Sequence, residues 1–291
     1  MHWLALLISL LLSSPAIGAP IQAVASFSIL GDMVKAIGGD RVEVTTIVGA
    51  NADTHVYEPK PSDAAAVARA QIFFVNGLGF EGWMDRFVQA TGYRGPLVIA
   101  SQGVTPRDFV DDGVTVTDPH AWQSLSNGLI YVRNIRTALC RIAPSSCGAF
   151  TASAQDYSEQ ILALDVEVRA AVATVPPAER KVITTHDAFG YFGAAYGVSF
   201  LAPEGISTDA EPSAAGVARL IEQIRSTGVK ALFIENMTDP RLIEQIANET
   251  GITVGGELYA DALSFPGRGA GSYLEMFRDN IGLLVPAMKG D

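Results

Sequence analysis

Three histidines carry most of the chemistry this sequence offers. His55, His120 and His186 each stand in a short polar segment, residues 51–59 (NADTHVYEP), 117–122 (TDPHAW) and 182–191 (VITTHDAFGY). A lone histidine is more often a satisfied core or surface residue than a ligand, so none of them is diagnostic alone. Together they say more, because neutral imidazole is the most common protein ligand for zinc and all three stand beside Asp, Pro or Thr in loops. A carboxylate would complete a tetrahedron. Asp261, in residues 258–263 (LYADAL), is the best-placed candidate, with a helix N-cap as its competing role.

Other motifs are weaker. Residues 77–82 (GLGFEG) match GxGxxG after a strand-like run, but about 20 positions on, where a second strand should end in an acidic residue, residues 96–101 read PLVIAS. Dinucleotide binding is therefore not expected, and no HExxH, P-loop or GxSxG motif occurs. Glu235 closes the apolar run 231–235 (ALFIE), where it either orients a ligand histidine or serves as a strand-end charge that faces solvent or caps the next helix. Cys140 and Cys147 lack both CxxC spacing and a neighbouring histidine, which argues against metal binding. In an oxidising compartment they are expected to close a short disulfide loop, the alternative being two buried thiols.

The elements that must position these residues alternate between strand and helix. Residues 21–28 read as a strand running into a helix over 30–37, followed by strands at 42–48, 71–76 and 96–100 and helices at 63–70 and 83–90. After Pro176 and Pro177 the order restarts, with strands at 181–185, 231–235 and 253–257 and helices at 188–196, 216–227 and 240–250. Between the halves, Leu129, Val132, Ile135, Leu139 and Ile142 form one helical stripe over 126–142. A second stripe through Tyr157, Ile161, Leu164, Val168, Val172 and Val175 predicts a helix over 151–174, roughly 36 Å long at 1.5 Å per residue. The expected fold is α/β: two doubly wound lobes, residues 19–148 and 176–291, joined by one long helix at 149–175. In such sheets ligands gather at the strand carboxyl ends, where the histidine loops fall.

Composition narrows the function. With 291 residues, 48% hydrophobic and 18% charged, the chain can bury a sizeable core, and its formal charge of −11 disfavours a nucleic-acid partner. The apolar run at residues 3–12 is too short for a membrane helix of about 20 residues. Followed by Ser13, Ser14, Pro15, Ala16 and Gly18, it reads as a signal peptide over 1–18, although no Lys or Arg precedes it. Its removal would take away the fourth histidine, His2.

Five segments then point to a family: residues 54–63 (THVYEPKPSD), 118–122 (DPHAW), 185–197 (THDAFGYFGAAYG), 206–214 (ISTDAEPSA) and 258–264 (LYADALS). They closely resemble the zinc-binding solute receptors of bacterial ABC importers, the cluster A-I metal receptors, over nearly the whole mature chain. The resemblance implies two α/β lobes joined by a long helix with the metal in the interlobe cleft. It implies His55 and His120 from the first lobe, and His186 and Asp261 from the second, as ligands of a transported Zn2+. It further implies a periplasmic, non-enzymatic monomer that serves an ABC permease, with a periplasmic metallochaperone as a candidate donor. Zinc receptors of the family have His at the third position, as here, and manganese receptors have Glu; three imidazoles suit zinc, whereas manganese prefers oxygen. Many zinc members also carry a long His-rich loop between the first two ligands, whereas residues 108–117 (DFVDDGVTVT) are short and contain no histidine. The alternatives are a manganese or iron receptor on the same scaffold, and a secreted zinc hydrolase with three protein ligands, a bound water and a base such as Glu58.

Overall fold

The computed structural model describes residues 19–111, 114–209 and 213–290; the expected signal peptide lies outside them. The first lobe opens with β1 (Ile21–Phe27), α1 (Ser28–Gly38), β2 (Val42–Val48), α2 (Pro61–Arg69), β3 (Ile72–Val75), α3 (Met84–Thr91) and β4 (Leu97–Ile99). Its four strands are all parallel in the order β2-β1-β3-β4. The central strands read as nearly continuous apolar runs because both faces are covered: β1 is buried except at Gln22, and all four residues of β3 are buried.

A hairpin follows, β5 (Arg107–Asp111) antiparallel to β6 (Val114–Asp118), where the sequence reading had a plain short loop. Next come α4 (Leu125–Ile142) and α5 (Cys147–Ala173). The linking helix α5 has 27 residues, about 40 Å, and begins four residues earlier than its apolar stripe predicts. Its buried stripe, from Phe150 through Tyr157 and Leu164 to Val172, packs against α1, α4 and the C-terminal helix.

The second lobe comprises β7 (Lys181–Ile183), α6 (Gly190–Tyr196), β8 (Ser199–Leu201), α7 (Ala214–Thr227), β9 (Ala231–Glu235), α8 (Arg241–Thr250) and β10 (Thr253–Leu258). Its sheet, β10-β9-β7-β8, is again parallel and repeats the first: the opening strand is central, the next lies on one side and the last two on the other. Each lobe therefore has a topological switch point, between β1 and β3 and between β7 and β9. The chain closes with α9 (Tyr273–Lys289), capped by Ser272, whose hydroxyl accepts the Glu275 N–H. This helix returns towards the first lobe, where Tyr273 donates its N–H to Asp32 and its hydroxyl to the Trp122 carbonyl. Among the described residues no helix is long and apolar enough to cross a membrane.

Cys140 and Cys147 are joined in a disulfide that ties the last turn of α4 to the first of α5. Closing so short a loop is expected to stabilise the fold by about 2–3 kcal/mol by the chain-entropy estimate. Denaturant unfolding with and without reductant measures this.

Candidate metal centre

All four sequence-predicted donors follow the carboxyl end of a strand, His55 after β2, His120 after β6, His186 after β7 and Asp261 after β10. The structure brings them together: one donor atom from each lies within 4.8 Å of every other. His55 Nε2 stands 3.3 Å from His120 Nε2 and 3.2 Å from Asp261 Oδ2, which is itself 3.2 Å from His186 Nε2. His120 Nε2 lies 3.6 Å from Asp261 Oδ1. A tetrahedral ion with bonds of 2.0–2.2 Å separates its ligands by about 3.3–3.6 Å, so these edges already have the right size. His120, His186 and Asp261 are fully buried.

Each loop has its own fastening. His120 is held by Asp118, whose Oδ1 accepts both its backbone N–H at 3.0 Å and its ring Nδ1 at 2.9 Å. Asn76, at the end of β3, donates to the Pro119 carbonyl and takes the Tyr131 hydroxyl, fixing the same turn from below. His186 lies over the second switch point, where the buried Glu235 accepts the N–H groups of Thr185 and His186 on one oxygen and the ring Nδ1 of His186 on the other. Glu235 thus takes the orienting role, and the solvent-facing alternative falls away, since the residue is wholly buried. His55 is oriented without a ring carboxylate: Asp53 accepts its backbone N–H, Trp83 donates to the Thr54 carbonyl, and Phe80 packs edge-on to the ring at 5.0 Å. The Asp261 loop is stapled to the first lobe, with the Ala260 carbonyl accepting from Trp122 and Gln123, and the Leu263 N–H donating to Ser28. Asp261 is no N-cap, because the next helix starts twelve residues on with Ser272 as its cap.

With carboxylates on their Nδ1 protons, His120 and His186 turn the Nε2 lone pair inward. There His186 Nε2 and both oxygens of Asp261 are buried without a hydrogen-bond partner. Lone pairs facing one another at 3.2 Å in a buried pocket call for a cation. Without a metal, protons serve: burial opposes charging of both rings, yet Asp261 with Asp118 lifts His120 to about 9, and Glu235 with Asp261 lifts His186 well above its ordinary value. Burial likewise opposes ionisation of Asp261, but the two imidazoles hold it well below the carboxylate range.

The glycine-rich turn has a different task from phosphate binding. Gly77, Leu78 and Gly79 all take positive φ, and the turn sets the Phe80 ring against both His55 and His120. The amides of Asn76 and Gly77 are already taken by the buried Glu81 carboxylate, which also accepts the Ser26 hydroxyl across the first switch point. Glu81 mirrors Glu235 and was not singled out from sequence. Asp53 and Asp118 were also passed over, although both stand two positions before a histidine.

Two like α/β lobes with a buried cluster of three imidazoles and a carboxylate between them define the class: metal-binding substrate receptors of ABC transporters. Residues 23–287 match the family model described as ZnuA, "Zinc-uptake complex component A periplasmic", and the chain belongs to that family. It is 32% identical over 272 residues to the manganese-binding lipoprotein MntA of Halalkalibacterium halodurans, covering 93% of this chain and 89% of that one. Among solved structures it is similar to the periplasmic zinc binding protein TroA of Treponema pallidum, at 28% identity, TM-score 0.88, and coverage of 93% of this chain and 99% of the other. A manganese-bound periplasmic metal binding protein from Candidatus Liberibacter asiaticus matches at 30% identity and TM-score 0.82, with 91% and 98% covered. These names divide between manganese and zinc, so kinship fixes the class and leaves the ion to the chemistry of the site.

Proposed function

We propose that this chain is an exported zinc receptor, which captures Zn2+ at His55, His120, His186 and Asp261 and hands it to the permease of an ABC importer. The observation that carries the reading is the convergence of three imidazole nitrogens on one buried carboxylate, a donor set suited to a borderline ion. Residues 19–148 and 176–291 act as the two jaws and 149–175 as their link, with the signal at 1–18 sending the protein to the periplasm. It works as a monomer, loaded directly or by a periplasmic metallochaperone. A histidine-free hairpin stands where many zinc members have a His-rich loop.

Manganese is the second reading, favoured by one specific feature. Both Asp261 oxygens are free to bind, giving five donors where zinc needs four. Manganese-binding relatives point the same way. The hydrolase reading is disfavoured by a fourth protein donor, and Glu58 is exposed and stands outside the cluster. Paired zinc and manganese titrations against a chelator test the proposal; zinc should bind more tightly by a margin larger than the ordinary Irving–Williams preference.

Acidity should compete with the ion over a higher range than the unperturbed histidine value of about 6.5 suggests. His120 of the metal-free site holds its extra proton up to about 9 and His186 shifts in the same direction, so each must lose a proton before its Nε2 binds. Low pH therefore favours the metal-free form, and affinity should rise by about tenfold per pH unit for each proton displaced as pH climbs from about 6 towards 9. Isothermal titration in buffers of different ionisation enthalpy counts the released protons; none released at neutral pH would contradict this.

A further inference from the structure

The two first-lobe histidine loops begin alike and then part. Asp53 and Asp118 each stand two positions before a histidine and accept its backbone N–H on Oδ1, at 2.9 and 3.0 Å. Asp118 also takes the imidazole of its own histidine. Asp53 instead sends its other oxygen across the cleft, where the Thr208 hydroxyl donates to Oδ2 at 2.6 Å. One carboxylate thereby couples the His55 backbone to residues 206–209 of the second lobe.

The segment this bond holds borders the least buried part of the centre. His55 is the one member of the cluster that is not fully buried. It lines a crevice of about 460 Å³ with Phe80, Thr117, Ile206, Ser207 and Asp209. A second crevice, about 510 Å³, is lined by Asp53 and Thr208 together with Glu204 and Thr238, while the neighbours of Thr208 on both sides, Ser207 and Asp209, line the first. Residues 51–55 are tied to the second lobe elsewhere as well, through Asn236 to the Asn51 side chain and through the Asn51 N–H to the Leu263 carbonyl, both at 2.9 Å. Neither of those ties touches residues 206–209. Ile206, Ser207 and Asp209 therefore form one wall of the crevice that reaches His55.

Resting on the receptor reading, we propose that Asp53 is a positioning residue and that its bond to Thr208 is the latch that sets how fast the bound ion leaves. Opening it lets residues 206–209 lift from the crevice while all four donors stay in place. Release therefore quickens and capture changes little.

The test is stopped-flow transfer of zinc from the loaded mature chain to excess chelator. Thr208→Val keeps the side chain's shape and the Asp53–His55 contact but removes the donor. It should bind one zinc and release it about 10–100-fold faster, as expected for a lost hydrogen bond to a charged acceptor, with an association rate within about twofold of the parent. Thr208→Ser keeps the hydroxyl and should release at the parent rate. Asp53→Asn can still accept the His55 N–H and donate to the Thr208 oxygen, so it should release more slowly than Asp53→Ala. A zinc-binding Thr208→Val with the parent's release rate overturns the latch, as does a Thr208→Ser variant as fast as the valine one, which would trace the effect to packing. A parent chain that binds neither zinc nor manganese overturns the receptor reading instead.

Discussion

Zinc binding is expected to weaken by roughly a hundred- to a thousandfold in His186→Ala, about a quarter of the 10–16 kcal/mol that a full zinc shell supplies. The residue is wholly buried and its Nε2 has no hydrogen-bond partner, so alanine removes one nitrogen donor outright and leaves Asp261 facing a cavity. Asp261→Ala should cost less, because a water can replace a carboxylate oxygen. Substituting His186→Glu separates affinity from choice: a hard oxygen that binds through two atoms raises the coordination number, so manganese should gain relative to zinc. Zinc can remain the tighter ion in absolute terms. Chelator competition with both ions on parent and variants measures this, and an unchanged zinc-to-manganese ratio in His186→Glu would remove residue 186 as the selector.

The second large effect belongs to a residue that never touches the ion. Glu235→Gln preserves volume but replaces a double acceptor with an amide that cannot serve the Thr185 and His186 N–H groups and the imidazole Nδ1 together. One buried donor is left facing another. Zinc affinity should fall by about 10–100-fold, the usual cost of losing a histidine's carboxylate partner. The zinc-free fold should lose about 1–3 kcal/mol for the unsatisfied buried group. Thermal unfolding with and without zinc separates the two losses; an affinity within about twofold of the parent would reduce Glu235 to a structural role.

Much of this site was readable in advance, and the unread parts share a physical reason. The three histidines and Asp261 announce themselves by residue type next to turn formers, and parallel α/β sheets send the turns of His55, His186 and Asp261 to the strand carboxyl ends, whereas His120 follows the antiparallel hairpin strand β6. The linking helix was legible as an unbroken apolar stripe. The hairpin was not, although residues 109–116 (FVDDGVTV) flank a DG dipeptide with β-branched residues, a hairpin signal overshadowed by comparison with the His-rich loop. Helix α9 also had its signs, a Ser272 cap and buried Tyr273, Phe277, Asn280, Leu284 and Met288, with Pro286 accommodated inside its last turns. Local carboxylate roles were within reach too, since Asp53 and Asp118 precede their histidines by the same two positions.

What sequence could not supply is the set of contacts between distant backbones. The staples from Trp122 and Gln123 to the Ala260 carbonyl span more than 130 positions, and the Asp53–Thr208 bond spans 155. A carbonyl looks the same in every residue, so no side-chain pattern marks which ones will be met. Glu235 illustrates the middle case: its type and strand-end position suggested two roles, and only its burial beside His186, 49 positions away, decides between them.

Metal analysis of the mature protein recovered from the periplasm without added metal, with zinc and manganese counted against protein, tests the central claim most directly. One zinc per chain, lost in a variant carrying both His120→Ala and His186→Ala, is the predicted result. Manganese in that place, or zinc retained when both histidines are gone, would contradict it.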